Sequence, residues 1–228
     1  MAASTQSKTL SVRKERVRKI LPILKRTYPD AKCSLDHKTP LQLLVATILS
    51  AQCTDARVNM VTPRLFQKFK TAADYAAVSQ EELERDIQST GFYRNKAKNI
   101  RAMAQSLEEQ FGGEVPKTME ELTSLAGVGR KTANVVLGNA FDVHVGIVVD
   151  THVSRLSERL ELTKHADPVK IEQDLMQTVP RQDWTLWAHL LIHHGRAICI
   201  ARKPLCGKCP IARYCPSAAK FFREAAKR

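Results

Sequence analysis

The sequence predicts an all-α protein. Three observations carry that prediction: period-2 alternation is almost absent along the 228 residues, apolar residues recur at helical spacing in segment after segment, and most segments are bounded by Gly, Pro, Ser or Thr. With 43% hydrophobic and 26% charged residues the chain can build a real core, which sets disordered and fibrous classes aside. The apolar runs "LQLLVATIL" (41–49) and "VHVGIVV" (143–149) fall well short of the roughly 20 residues a bilayer span needs, so no membrane association is expected.

Taken in order, residues 8–27 read as a basic helix with Val12, Val17, Ile20, Leu21 and Leu24 at mostly helical spacing, stopped at "YPD". Thr39 reads as the N-cap and Pro40 as the first residue of the next helix, through "LQLLVATILSAQ". Helices follow over "DARVNMVTPRLFQKF" (55–69), "SQEELERDIQS" (79–89), "YRNKAKNIRAMAQSLEEQF" (93–111) and "TMEELTSL" (118–125). Past glycines 127 and 129 another runs to about Asn139. "VHVGIVV" is β-branched enough for a strand but has no partner strand, so it reads as a buried extended crossing. "THVSRLSERLEL" (151–162), "PVKIEQDLMQTV" (168–179) and "DWTLWAHLLIHHG" (183–195) complete the helices. There is no repeat of solenoid period and no Gly/Ser linker.

Charge is unevenly placed. Residues 1–26 hold eight Lys/Arg against one acid and residues 199–228 another eight against one, while the stretch between is balanced at 20 against 21. Two basic ends on a neutral body are the footprint expected for a polyanion such as nucleic acid, although a charge run can also be a plain solvated face. The Ser/Thr-rich, basic start "MAASTQSKTLSVRKERVRKI" overlaps in composition with an organellar transit peptide, but it has no secretory apolar core and runs straight into a helical pattern.

Four of the six cysteines, Cys199, Cys206, Cys209 and Cys215, lie within 17 residues in "CIARKPLCGKCPIARYC". With no secretory signal, thiols this close point to a metal rather than to disulfides. Zinc ribbons pair two CxxC units, whereas one CxxC flanked by single cysteines favours a [4Fe-4S] cluster, with zinc the alternative. Arg202, Lys203, Lys208 and Arg213 inside this loop could meet a phosphate backbone or offset the charge of a thiolate cluster. Cys33 and Cys53 sit in apolar surroundings and read as core residues.

"TSLAGVGRKTANVV" fails as a P-loop because the glycine spacing is wrong and no strand precedes it. It fits helix, tight hairpin, helix, and the free amides at the start of the second helix make an anion site, with an ordinary αα-turn as the bland alternative. Lys131 falls in that first turn, where the helix dipole and Arg130 disfavour a cation and favour a neutral, nucleophilic amine; a solvated lysine is the competing reading. Asp150, ending an apolar run before "THVSRLSERL", is a candidate carboxylate for electrostatic or proton-transfer work, or a plain N-cap.

"LAGVGRKTANVVL", "VDTH" and "HGRAICIARKPLCGKCPIARYC", together with "LLVATILSAQCTD" and "GFYRNKAKNI", resemble the endonuclease III family of helix-hairpin-helix DNA glycosylase/AP lyases over about residues 13–216. The resemblance implies two helical lobes: a six-helix lobe with the hairpin at 33–142, and an iron-sulfur lobe built from 1–32 and 143–228, with DNA across the groove between them. It implies base-excision repair of oxidised pyrimidines, with AP lyase cleavage, on double-stranded DNA that contains damaged pyrimidines or abasic sites. It assigns Lys131 as nucleophile, Asp150 as essential carboxylate and the four late cysteines as ligands of a [4Fe-4S] cluster. Gln52 would fill the void left by the extruded nucleotide. Phe92 stands where the family places a leucine wedge, and Gly127, Val128, Gly129 and Arg130 would lie against phosphate. A monomer of bacterial, cytoplasmic, nucleoid-associated type is expected. The related adenine glycosylases share the hairpin, aspartate and cluster but lack a lysine at position 131, and a non-catalytic DNA-binding module would need neither Lys131 nor Asp150.

Overall fold

The computed structural model describes residues 2–226, with side chains from Ser7 to Arg223. Met1, Lys227 and Arg228, parts of the two basic ends, lie outside the described residues, as do the side chains of the Ser/Thr-rich start at 1–6. Twelve α-helices and no strand are present among the described residues. None of these helices is long and apolar enough to cross a membrane. The chain divides into two compact units, one of residues 33–145 and the other of the preceding segment together with everything from Gly146 onward.

The continuous unit holds α2 (Pro40–Leu49), α3 (Asp55–Lys68), α4 (Ala72–Ala77), α5 (Gln80–Ile87), α6 (Tyr93–Phe111), α7 (Met119–Ser124) and α8 (Arg130–Ala140). Thr39 caps α2, accepting from the Gln42 amide, and Pro40 takes the first turn where its missing N–H costs nothing. Seven successive residues of α2, Leu43–Leu49, are buried, which is why its sequence is an apolar run interrupted by one threonine rather than an amphipathic stripe. Thr47 in that run satisfies itself by donating to the Leu43 carbonyl at 2.7 Å. Helices α4 and α5 pack against α6, and α2 against α8, around a core that includes Tyr75, Ile100, Met103 and Leu137.

The short α4 adds a seventh helix to the six expected from periodicity. At six residues it is too short to show a period, but its start is a capping box: Thr71 accepts from the Asp74 amide while the Asp74 carboxylate accepts from the amides of Lys70 and Thr71. Those amides hold the Asp74 carboxyl below its ordinary pKa.

The discontinuous unit holds α1 (Ala2–Thr27), α9 (Thr151–Arg159), α10 (Pro168–Thr178), α11 (Trp184–Ala197) and α12 (Ala218–Ala226). Val17, Ile20 and Leu24 of α1 are buried against a core built from α9, α10 and α11, with Trp187 fully enclosed. Several cations of the basic N-terminal end are engaged inside this unit. Arg13 faces Asp174 at 3.4 Å, Arg16 donates to the Leu160 carbonyl at 2.6 Å, and Lys25 donates to the nearly buried Asp183 at 2.6 Å. The charge of that end is therefore partly a means of docking α1.

"VHVGIVV" has no strand ladder among the described residues. Val143 and Val145 join the core of the continuous unit, and Ile147, Val148 and Val149 that of the other, so the run is apolar because it supplies two cores in succession. Cys33 and Cys53 pack against the first of these cores, as expected.

Candidate functional site

The hairpin between α7 and α8 is set by backbone shape. Gly127 has φ +76°, and a Cβ there would stand 2.9 Å from Cβ of Asn99, so conformation and space both exclude a side chain. Val128 is buried and its amide donates to the Leu125 carbonyl at 3.1 Å; what it offers the surface is backbone, not side chain. Gly129 is the N-cap of α8 and supplies no side-chain acceptor, whereas α2, α3, α4, α5, α7, α9 and α10 all begin with a capping side chain. Arg130 and Lys131 are exposed in the first turn of α8. The start of α8 is thus an open, uncapped helix end carrying the positive pole of the dipole.

Gln52 and Phe92 share a property invisible in the sequence. Both are exposed and both hold left-handed backbone, with φ of +52° and +49°, a conformation that costs a side-chain-bearing residue about 1–2 kcal/mol. Phe92 is 66% exposed, an aromatic ring in solvent at the head of α6. Asp142 and Glu161 are also exposed and left-handed, with φ of +56° and +49°, so the backbone conformation alone does not mark a site.

Behind Gln52 and Phe92 lies a group that residue-by-residue reading passes over. Lys96 is only 4% exposed, and its ammonium donates to the carbonyls of Leu49 at 2.7 Å and Thr90 at 2.8 Å. Burial pushes its pKa below the ordinary lysine value.

Asp150 caps α9, accepting from the Val153 amide at 2.7 Å, and is only partly buried. The capping role is therefore real, and the bond to Val153 engages Oδ1 of the carboxylate. At the far end of the same helix, Arg159 grips the cysteine loop: its guanidinium donates to the carbonyls of Ile200 at 2.9 Å and Ala201 at 2.6 Å, approaches the Cys199 sulfur at 3.2 Å, and lies 4.7 Å over the Phe221 ring of α12. Nothing in "SERLEL" distinguishes this arginine from a surface cation.

Cys199, Cys206, Cys209 and Cys215 line one largely apolar cavity together with Leu156, Ile211 and Phe221. No three metal-binding side chains among the described residues are grouped closely enough for a single ion. Four thiols around one cavity suit a [4Fe-4S] cluster, which takes four thiolate ligands. Burial pushes the Cys209 thiol up to about 11 and raises those of Cys206 and Cys215, so thiolates in this cavity call for a compensating cation. His194, whose pKa burial lowers to about 4, joins Tyr28 to Cys209: Nδ1 is 2.9 Å from the phenol oxygen and Nε2 is 3.4 Å from the sulfur. One neutral tautomer serves both contacts, the phenol donating to Nδ1 and Nε2–H donating to sulfur. Arg202, Lys203, Lys208 and Arg213 are exposed on this loop.

Residues 45–181 match the HhH-GPD superfamily of base excision DNA repair proteins, and residues 199–215 match the iron-sulfur binding domain of endonuclease III. The chain is 57% identical to the endonuclease III of Synechocystis sp., over 94% of this chain and 98% of that protein. To the endonuclease III of Bacillus subtilis it is 51% identical, over 85% and 88%. It superimposes with a TM-score of 0.86 on a trapped endonuclease III–DNA covalent intermediate, an estranged-adenine complex, at 47% identity over 92% of this chain and 99% of that one. The helical fold, the hairpin and the cysteine loop agree with these matches, and the chain belongs to the endonuclease III family of base-excision repair proteins, DNA glycosylases and AP lyases that carry a [4Fe-4S] cluster.

Proposed function

We propose that this chain excises oxidised pyrimidines from double-stranded DNA through a Schiff base on Lys131, then nicks the strand at the abasic site. The observation that carries this reading is the place of Lys131: exposed, in the first turn of an uncapped helix, directly behind a glycine hairpin. The hairpin and the amides of α8 hold a phosphate of the backbone, while the lysine remains for the sugar. A solved relative described as a trapped covalent intermediate with DNA supports a covalent route.

The anomeric carbon is out of reach inside a stacked duplex, so the damaged nucleotide is first extruded. Phe92 enters the stack from the head of α6, and Gln52 occupies the space the nucleotide leaves. The Lys131 amine gives its lone pair to C1′, the glycosidic C–N bond breaks, and the base departs with that bonding pair and takes up a proton. Asp150 stabilises the positive charge that develops on the sugar and assists proton transfer. Ring opening gives a protonated Schiff base; loss of a C2′ proton then expels the 3′ phosphate by β-elimination, and hydrolysis frees the lysine.

The thiolates of Cys199, Cys206, Cys209 and Cys215 hold the [4Fe-4S] cluster, with Arg159 and His194 contacting two of the sulfurs. A bound cluster would supply a cross-link between the four cysteines and positive charge to offset their thiolates; the exposed Arg202, Lys203 and Lys208 then stand on a stapled segment facing phosphate. The protein acts as a monomer on DNA, and a cytoplasmic, nucleoid-associated location accords with that reading. Cys209→Ser is expected to lose the iron and inorganic sulfide found in the parent protein; unchanged content in the purified variant would remove Cys209 from the ligand set.

The substrate class is tested on duplexes that differ in one nucleotide. Release of an oxidised pyrimidine, with little release of an oxidised purine or of adenine opposite an oxidised guanine, is the expected result. Preferred release of adenine would instead assign the chain to adenine glycosylase chemistry.

A further inference from the structure

We infer that Lys96 is a positioning residue for base extrusion: its buried ammonium brackets the two loops that carry Gln52 and Phe92. The inference rests on the reading above that these two side chains enter the DNA. The two carbonyls that Lys96 holds end elements. Leu49 is the last residue of α2, and Thr90 closes the 3-10 turn Gln88–Thr90. At such ends the helix no longer supplies an amide, and the negative pole of the dipole favours a cation.

From Leu49 the chain runs three residues to Gln52, and from Thr90 it runs two to Phe92. Tethers this short reach at most about 10 Å and 7 Å. One ammonium therefore limits how far the two exposed side chains can move relative to each other. The turns are reinforced locally: the Cys53 amide donates to the Ser50 carbonyl at 3.1 Å, the Gly91 amide to the Gln88 carbonyl at 3.3 Å, and the Lys96 amide to the Phe92 carbonyl at 3.1 Å. These contacts shape each loop separately, whereas the Lys96 side chain joins one loop to the other.

A buried lysine is a poor choice for stability alone. Burying a charge costs free energy that its hydrogen bonds offset only in part, and an apolar side chain of similar volume is often as stable. What the ammonium supplies, and methionine cannot, is a fixed separation between two loop ends.

The test compares two reactions of one protein. Excision from a duplex needs extrusion, whereas β-elimination at an abasic site in a single strand does not. Lys96→Met is expected to lower the ratio of the first rate to the second by about tenfold to a hundredfold, the scale on which misplacement acts. It should also slow the fluorescence rise of a 2-aminopurine placed beside the lesion. Lys96→Arg, which keeps two donors, should recover part of the ratio. If both rates fall together, or neither falls, Lys96 has no positioning role. Should Lys96→Met fail to fold, Lys96→Gln, with one donor group, is read in the same way. Gln52→Ala and Phe92→Ala separate the two claims. If they lower the ratio while the folded Lys96 variants do not, only the bracket is wrong; if they leave it unchanged, their role in extrusion is wrong and the bracket goes with it.

Discussion

Lys131→Ala is expected to form no borohydride-stable adduct with an abasic or oxidised-pyrimidine duplex, and its excision and strand-cleavage rates should fall by about a thousandfold or more. Borohydride reduces the imine to an amine and fixes protein to DNA, so a shifted band on a denaturing gel reports the covalent intermediate directly. Lys131 is exposed, so thermal stability should be unchanged within about 0.5 kcal/mol. DNA affinity should largely persist, because the hairpin amides and the basic cysteine loop remain. Equal trapping by the variant would show that another amine is the nucleophile, and the hairpin would then be a phosphate grip alone.

Asp150→Asn separates capping from chemistry. Asparagine caps a helix about as well as aspartate, so the bond to the Val153 amide survives and stability should shift by only a few tenths of a kcal/mol, apart from the lost charge–dipole attraction of about 0.3–1 kcal/mol. If the carboxylate stabilises a developing cation, single-turnover excision should fall by about a hundredfold to a thousandfold. A variant with parental rates would leave Asp150 as a cap and nothing more. Lys131→Ala and Asp150→Asn together should cost little more than the lysine change alone, because both act in one step.

The helices were legible where local chemistry is loud: Thr39 and Pro40 mark the start of α2, and the late cysteines mark a metal centre by spacing alone. The hairpin was legible because its glycines answer to backbone shape. Other features depend on distant partners and leave no local trace. The left-handed backbone at Gln52 and Phe92 is imposed by the surrounding fold, and their residue types would not suggest it. Lys96 lies in a helix rich in basic and polar residues, and only burial singles it out. Arg159 looks like any helix-surface arginine until the cysteine loop folds against it. Charge counting overstated the N-terminal surface, since Arg13, Arg16 and Lys25 are engaged in docking α1. For Lys131 and Asp150 the location was legible, and the kinetics above decide the role.

The division of the chain also fixes an order of events during synthesis. The unit carrying Lys131 is one continuous stretch whose core residues run from Leu35 to Leu137, so all of its apolar partners exist before Asp150 is translated. By contrast, α1 is made before the continuous unit and waits with Val17, Ile20 and Leu24 uncovered until Ile147 and the helices beyond it arrive. The cysteines come later still, after α11. A nascent chain would thus complete the unit that grips phosphate before the one that receives iron, which makes metal loading a late maturation step and leaves α1 as the segment most in need of a chaperone's cover.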